Sequence, residues 1–225
     1  MIKVIVFDFD NCIVLDEKTR TGSEEVKDGA WFEVFSEYNR AELDTVVEKV
    51  KRDIAGGKGD RKDIAARVLK HFGFPESEIP QEVPRRCQRF DEIIQEGIKR
   101  ISISDATRES IAELAERFPL YINTATPREA ALESLAVLRI AGFFKAVYGR
   151  PGTKVGNLRE ILAAESATPS EMLFIDDQES GRKAGEEIGC TFVGMQTARN
   201  KLWNETPQPF PIIKSFKEIS HLLET

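Results

Sequence analysis

Asp8 and Asp10 are separated by one residue and directly follow the apolar run Val4-Ile5-Val6-Phe7. A second acidic pair, Asp176 and Asp177, closes another apolar run, 172–175. Between them in the chain, Asn123-Thr124-Ala125-Thr126 ends the run 120–122, and Lys154 comes soon after the segment 146–148. Each of these polar groups stands just beyond a short apolar stretch. Carboxylates gathered from such ends would raise one another's pKa and resist ionising together. A hard divalent cation with oxygen ligands resolves the conflict, and Mg²⁺ suits one or two carboxylates, waters and a phosphate oxygen. The cation also removes the repulsion that would keep an anionic phosphate away from a carboxylate nucleophile. An amine and a hydroxyl could neutralise the remaining phosphoryl oxygens, because phosphoryl transfer depends mainly on positioning and charge stabilisation.

The runs that end in these groups read as strands. Residues 4–7 are continuously apolar and rich in β-branched side chains, as expected of a central parallel strand buried on both faces. Further strands are expected at 120–123, 146–148, 172–175, 191–193 and around Ile212 and Ile213. Helices are expected between them, at 105–118, from Thr126 as cap and Pro127 as first residue to about 139, at 154–165, 179–188 and 216–223. The Pro-rich stretch 206–211 reads as a loop. Alternating strands and helices imply a parallel sheet with helices on both faces, an α/β fold. In such sheets ligands bind beyond the C-terminal strand ends, where the acids, Thr124 and Lys154 stand.

Residues from about 23 to 101 have a different character. Apolar residues recur at helical spacing over 26–38, 41–54, 61–72 and 84–100, as in the stripe Leu43, Val46, Val47, Val50 and Ile54. The expected plan is an α/β core of residues 1–15 and 102–225, interrupted by an all-helical domain at 16–101. A length of 225 residues accommodates such a core and insert. The net charge of −6 argues against a broad basic surface for nucleic acid. Three widely spaced cysteines, with no CxxC, argue against a disulfide framework or a zinc site. The amino-terminal apolar run is too short for a signal peptide, and no apolar run is long enough to span a membrane. The expectation is a cytoplasmic monomer or homodimer.

Taken in order, the segments resemble the motifs of the haloacid dehalogenase (HAD) superfamily. VIVFDFDNCIV is similar to its first motif, YINTATP to its second, GRPGTKVGNLREIL to its third and LFIDDQESGRKAGEEIG to its fourth. The resemblance implies a Rossmann-like core. It implies that Asp8 is the nucleophile forming a phosphoaspartate, and that Asp10 is the general acid/base whose backbone carbonyl also binds Mg²⁺. It further implies that Thr124 and Lys154 hold the phosphoryl group with backbone N–H groups near Asn11 and Ala125, and that Asp177, with Asp176, completes the metal site. The all-helical insertion is similar to the family's cap. Its loop GGKGDR offers Lys58 and Arg61 for reading the rest of the substrate. Asp10 favours phosphate esters over haloacids.

Three departures stand out. Asn11 replaces a common Gly, although Asn tolerates left-handed backbone. Cys12 stands where Thr or Val is usual. The fourth motif reads Asp176-Asp177 rather than Gly-Asp, and Gly181 occupies a place often held by another Asp. The implied activity is Mg²⁺-dependent hydrolysis of a small phosphorylated metabolite. A phosphosugar mutase shares every core residue, and a non-catalytic phosphate-binding protein could keep the same pocket. A signalling receiver domain uses similar groups in another chain order, with its acid pair first.

Overall fold

The computed structural model describes residues 1–54, 59–101 and 103–224. The chain divides into two compact units, one joining Met1–Ser23 to Ile98–Thr225 and the other spanning Glu24–Gly97. In chain order, strand β1 (Val4–Phe7) is followed by helices α1 (Ser23–Val34), α2 (Arg40–Asp53), α3 (Arg61–His71) and α4 (Ile79–Arg100). Then come α5 (Asp105–Arg117), β2 (Leu120–Pro127), α6 (Arg128–Val137), β3 (Ala146–Arg150), α7 (Lys154–Glu165), β4 (Met172–Asp176), α8 (Glu179–Ile188) and β5 (Thr191–Met195). The chain closes with α9 (Lys201–Glu205), β6 (Ile212–Ile213) and α10 (Lys217–Glu224).

The strands form one parallel sheet in the order β3-β2-β1-β4-β5-β6. β1 is central, and Val4, Ile5, Val6 and Phe7 are all fully buried, which is why the run carries no polar residue. The chain leaves β1 towards β2 and β3, then returns to its other side for β4 and β5. The strand order therefore reverses at β1, the place where open α/β sheets leave a crevice at their C-terminal ends. Register sets what meets there. Phe7 is paired with Ile122 of β2 and Ile175 of β4, so the next residues, Asp8, Asn123 and Asp176, lie level across three strands.

The second unit contains only helices among its described residues. The predicted stripe on α2 is buried at Leu43, Val46, Val47 and Val50, and α3 buries Ile64, Ala65, Val68 and Leu69. Asn39 caps α2 by accepting from the Glu42 N–H at 3.1 Å. Asp60 and Asp63 form a capping box at the start of α3. Helices α1 and α4 cross closely at Gly97, where a Cβ would lie 2.3 Å from a methyl of Val26.

The structure differs from the sequence reading at particular places. Residues 16–23 group with the α/β unit, so the division falls after Ser23 and Gly97 rather than after 15 and 101. The reason is polar anchoring. Leu15 bridges Gly22, the Ala198 N–H donates to the Arg20 carbonyl at 2.8 Å, and Glu17 accepts from Ser104 and Thr107. Strand β2 continues to Pro127, so Thr126 is in the strand rather than capping α6, and Pro127 takes the cap position without a side-chain bond. Helix α4 starts at Ile79 and keeps Pro84 inside it. A proline in the second turn forfeits one N–H bond to the preceding turn, which the long helix tolerates here. Helix α9 has no counterpart in the sequence reading. Among the described residues no helix is long and apolar enough to cross a membrane.

Candidate active site

Asp8 extends β1 by one residue, and Asp176 ends β4. Together with Asp177 they form a buried group in which one oxygen of each lies within 4.8 Å of the others. Burial pushes the Asp8 carboxyl well above its ordinary range; the charge of Asp176 adds to this, and Lys154 only partly offsets it. Burial likewise raises Asp176 against the opposing pull of Lys154. Among the described residues Lys154 is the cation bonded to this group, at Asp8 and Asp176, and one ammonium does not balance three buried acids. The donors are all oxygen and close together, which is the chemistry that suits a hard divalent cation. The residues present therefore fit Mg²⁺.

Asp10 lies apart from that group. Its two carboxylate oxygens accept from the Ser23 hydroxyl at 2.6 Å and the Thr126 hydroxyl at 2.5 Å. With both oxygens taken up by hydroxyls, its side chain is oriented by the protein itself.

Lys154 is the first residue of α7, held by Thr153, whose hydroxyl accepts from the Gly156 N–H at 3.1 Å. Its ammonium donates to Asp8 Oδ1 at 2.8 Å and to Asp176 Oδ2. Burial opposes the charge on Lys154, but Asp176 and Asp8 outweigh it and hold the amine above its ordinary pKa. Sequence reasoning missed the residues that seat it. The Asn123 side-chain amide donates to the Lys154 backbone carbonyl at 2.9 Å, and the Asn157 amide donates to the Asn123 side-chain Oδ1 at 2.9 Å. Both asparagines are buried. A polar residue closing the apolar run of β2, and another one helical turn after Lys154, were the available signals.

Asp176 Oδ1 accepts from the Gln178 N–H at 2.8 Å, so both of its oxygens are engaged, one with this turn and one with Lys154. Gly181 explains how the carboxylate fits. A Cβ at position 181 would lie 2.0 Å from Asp176 Oδ2 and 2.6 Å from the Asp176 Cβ. The double Asp and the glycine are therefore one departure from the family pattern, because the carboxylate of residue 176 fills the space a side chain at 181 would need. Gly181→Ala is expected to force Asp176 off Lys154, lowering turnover by about 100-fold, the scale of a misplaced catalytic group. It should also cost about 1–3 kcal/mol of stability by overpacking. Steady-state rates and urea melts of the variant check this.

Asn11 adopts a left-handed backbone with φ 53° and is fully buried, in keeping with its tolerance of that conformation. Thr124 is buried within β2, where its hydroxyl oxygen accepts from the Thr126 N–H at 3.0 Å; Ala125, between them, is exposed. That bond leaves the Thr124 hydroxyl proton to be donated elsewhere. Cys12 is buried and donates weakly to the Ile175 carbonyl at 3.7 Å. Burial and then the charges of Asp8, Asp176 and Asp177 push its thiol well up, so it packs as an inert side chain. Arg61 opens α3 and is ion-paired with Asp91 of α4 inside the helical unit. Lys58 lies outside the described residues.

The family profile described as haloacid dehalogenase-like hydrolase matches residues 5–195. No curated protein matches the chain. Among solved structures, the chain is similar to YfnB of Bacillus subtilis, assigned as a HAD hydrolase and seen bound to magnesium. The two share 19% identity and a TM-score of 0.71, over 100% of this chain and 99% of that one. It is similar to a Thermotoga maritima protein assigned as a β-phosphoglucomutase, at 17% identity and a TM-score of 0.70, over 99% of each chain. It is also similar to a Haemophilus somnus protein assigned as a phosphoglycolate phosphatase, at 15% identity and a TM-score of 0.64, over 99% of this chain and 98% of that one. At these identities the likeness is one of fold. The profile, by contrast, runs from β1 through β5 and takes in Asp8, Asp10, Thr124, Lys154, Asp176 and Asp177. The chain belongs to the haloacid dehalogenase-like hydrolases and is an enzyme of that family.

Proposed function

We propose that the protein is a Mg²⁺-dependent phosphomonoesterase that acts on a small phosphorylated metabolite through a phosphoaspartate on Asp8. One observation carries this reading. Asp8 shares a buried oxygen cluster with Asp176 and Asp177, is bonded to Lys154, and has a second aspartate two residues on, held by hydroxyls apart from that cluster. A nucleophile, a charge-neutralising amine and a separate acid/base are the parts that two-step phosphate ester hydrolysis requires.

In the first step an Asp8 oxygen bonds to phosphorus as the ester P–O bond breaks, and the leaving alkoxide takes a proton from Asp10. In the second, Asp10 accepts a proton from the water that attacks the phosphoaspartate, which frees inorganic phosphate and restores the Asp8 carboxylate. Asp10 accepts two hydroxyl protons in the arrangement described. To act as the acid it must carry a proton on one oxygen, aimed at the leaving alkoxide, while the remaining lone pairs of the carboxyl go on accepting from Ser23 and Thr126. Lys154, Thr124 and backbone N–H groups near Asn11 and Ala125 hold the phosphoryl oxygens. Asp8, Asp176, Asp177 and the Asp10 carbonyl would hold Mg²⁺, which supplies the positive charge that lets an anionic substrate approach these acids. Lys58 and Arg61 remain the residues proposed to select the rest of the substrate.

A panel of phosphorylated metabolites, assayed with Mg²⁺ for released inorganic phosphate, tests the reading. Release from one or more small monoesters is the expected result. Phosphate regained on a second hydroxyl of a sugar, with none released, would replace the phosphatase with a mutase using the same residues. No turnover of any ester would leave a phosphate-binding protein.

A further inference from the structure

Asn200 lies in the turn after β5, outside the set of acids, Thr124 and Lys154. Its side chain closes three bonds to backbone. Nδ2 donates to the carbonyls of Asp177 at 3.0 Å and Met195 at 2.7 Å, and Oδ1 accepts from the Thr197 N–H at 2.8 Å. The orientation of the amide is unambiguous, because two partners can only accept and the third can only donate. Its place in the sheet gives the arrangement its meaning. The ladder between β4 and β5 ends with Asp176 opposite Gly194. Asp177 and Met195 are the next residue of each strand, just past the last backbone pairing. There the Asn200 amide substitutes for the missing ladder and ties the two strand ends together.

The turn that carries Asn200 is braced from its other side by the segment following Leu15. The Arg20 guanidinium donates to the carbonyls of Lys214, at 2.7 Å, and Gln196, while the Arg20 carbonyl accepts from the Ala198 N–H at 2.8 Å. Arg20 has a left-handed backbone, with φ 60°, a conformation that a non-glycine residue keeps only where its surroundings hold it. Thr197, buried in the same turn, accepts from the N–H groups of Arg199 at 3.2 Å and Asn200 at 3.3 Å. Residues 196–200 thus form a bonded frame between Arg20 and the Asp177 carbonyl.

We propose that Asn200, braced by Arg20, is a positioning residue for the cation site: by fixing the Asp177 carbonyl it fixes where the Asp177 carboxylate can reach. This deepens the proposed function and rests on its reading of Asp177 as a ligand. Partners that orient a metal-binding carboxylate are typically worth 10- to 100-fold in metal affinity.

The test is a Mg²⁺ titration of metal-free protein, read by calorimetry, with melting of the metal-free form recorded alongside. Asn200→Asp keeps the acceptor for Thr197 but has nothing to donate to Asp177 or Met195; Asn200→Ala removes all three bonds. Both are expected to bind Mg²⁺ roughly 10–100-fold more weakly than the native chain. Should Asn200→Ala not fold, Asn200→Asp provides the same test. Tyr121→Phe removes the hydroxyl bond to Glu165 elsewhere in the α/β unit, and it should bind Mg²⁺ as the native chain does even if it melts lower. Native affinity in both Asn200 variants, with binding lost in Asp177→Asn, overturns the positioning role and leaves the metal site standing. Native affinity in Asp177→Asn overturns the ligand reading and the positioning role together. Equal weakening in Tyr121→Phe and the Asn200 variants overturns the positioning role in favour of general destabilisation.

Discussion

Asp8→Asn is expected to cut turnover of a phosphate monoester by about 10⁶-fold, the scale on which an enzyme loses its covalent nucleophile. The amide has the volume of the carboxylate, and its oxygen can still accept from Lys154, whose ammonium lies 2.8 Å from Asp8 Oδ1. It has no anionic oxygen with which to attack phosphorus. The fold should not suffer. Burial, with the charge of Asp176 added, holds the folded Asp8 carboxyl well above its unfolded value. The folded chain therefore binds that proton more tightly than the unfolded chain does. The resulting stability is fully present below the unfolded pKa of about 3.9 and is lost as pH rises through the folded one. At neutral pH an ionised Asp8 is thus a net cost to the metal-free protein, and asparagine removes it. Metal-free Asp8→Asn should melt at or above the native temperature at pH 7. Native-like turnover would end the assignment of the nucleophile. A lower melting temperature would mean that the bond to Lys154 outweighs the burial of the charge.

Chelation should have the next largest effect. EDTA is expected to abolish turnover and Mg²⁺ to restore it, because the buried cluster of Asp8, Asp176 and Asp177 is short of positive charge with Lys154 alone. The same shortage makes a stability measurement informative. Mg²⁺ at 100 times its dissociation constant should stabilise the folded chain by about 2.7 kcal/mol. In a chain of this length that amounts to roughly 5–10 °C in melting temperature. The two forms should also respond to pH in opposite directions. As pH falls through the raised range of Asp8 and Asp176, the metal-free form gains stability, because the folded state takes up protons. The Mg²⁺ form loses its advantage over the same range, because the ligands must be deprotonated to bind. Melting curves with EDTA and with Mg²⁺ across pH should therefore converge towards acid. Turnover indifferent to EDTA, or parallel curves, would remove the cation from the site.

The apolar run Val4–Phe7 was legible as a central strand because burial on both faces leaves no position for a polar side chain. The other strands and most of the helices were legible from periodicity for the same reason. The acids, Thr124 and Lys154 were legible as a group because each follows such a run and a parallel sheet collects its strand ends on one side; the roles of nucleophile and acid/base were implied only by the family resemblance. Thr126 was misread as a helix cap. Its local pattern, Thr before Pro, fits a cap, but its hydroxyl goes to Asp10, 116 residues earlier in the chain. Asn123 was noted only as a polar residue closing its apolar run and given no role, and Asn157 and Asn200 escaped notice, because single amides are common in turns and strand ends. Their partners lie 31, 34 and 23 residues away, beyond any local window.

The identity and order of the chemical groups, and the strand ends they occupy, were determined by sequence alone, because hydrophobic periodicity is a local property. Which groups touch was decided by tertiary structure. The registers of β1 with β2 and β4 bring Asp8 level with Asn123 and Asp176. The close approach of α8 at Gly181 leaves room for one carboxylate and no more. Hydroxyls and amides from distant parts of the chain then hold Asp10, Lys154 and Asp177 in place. Hydrogen bonds depend on angles and distances that arise only once the sheet has assembled, and no spacing along the chain encodes them.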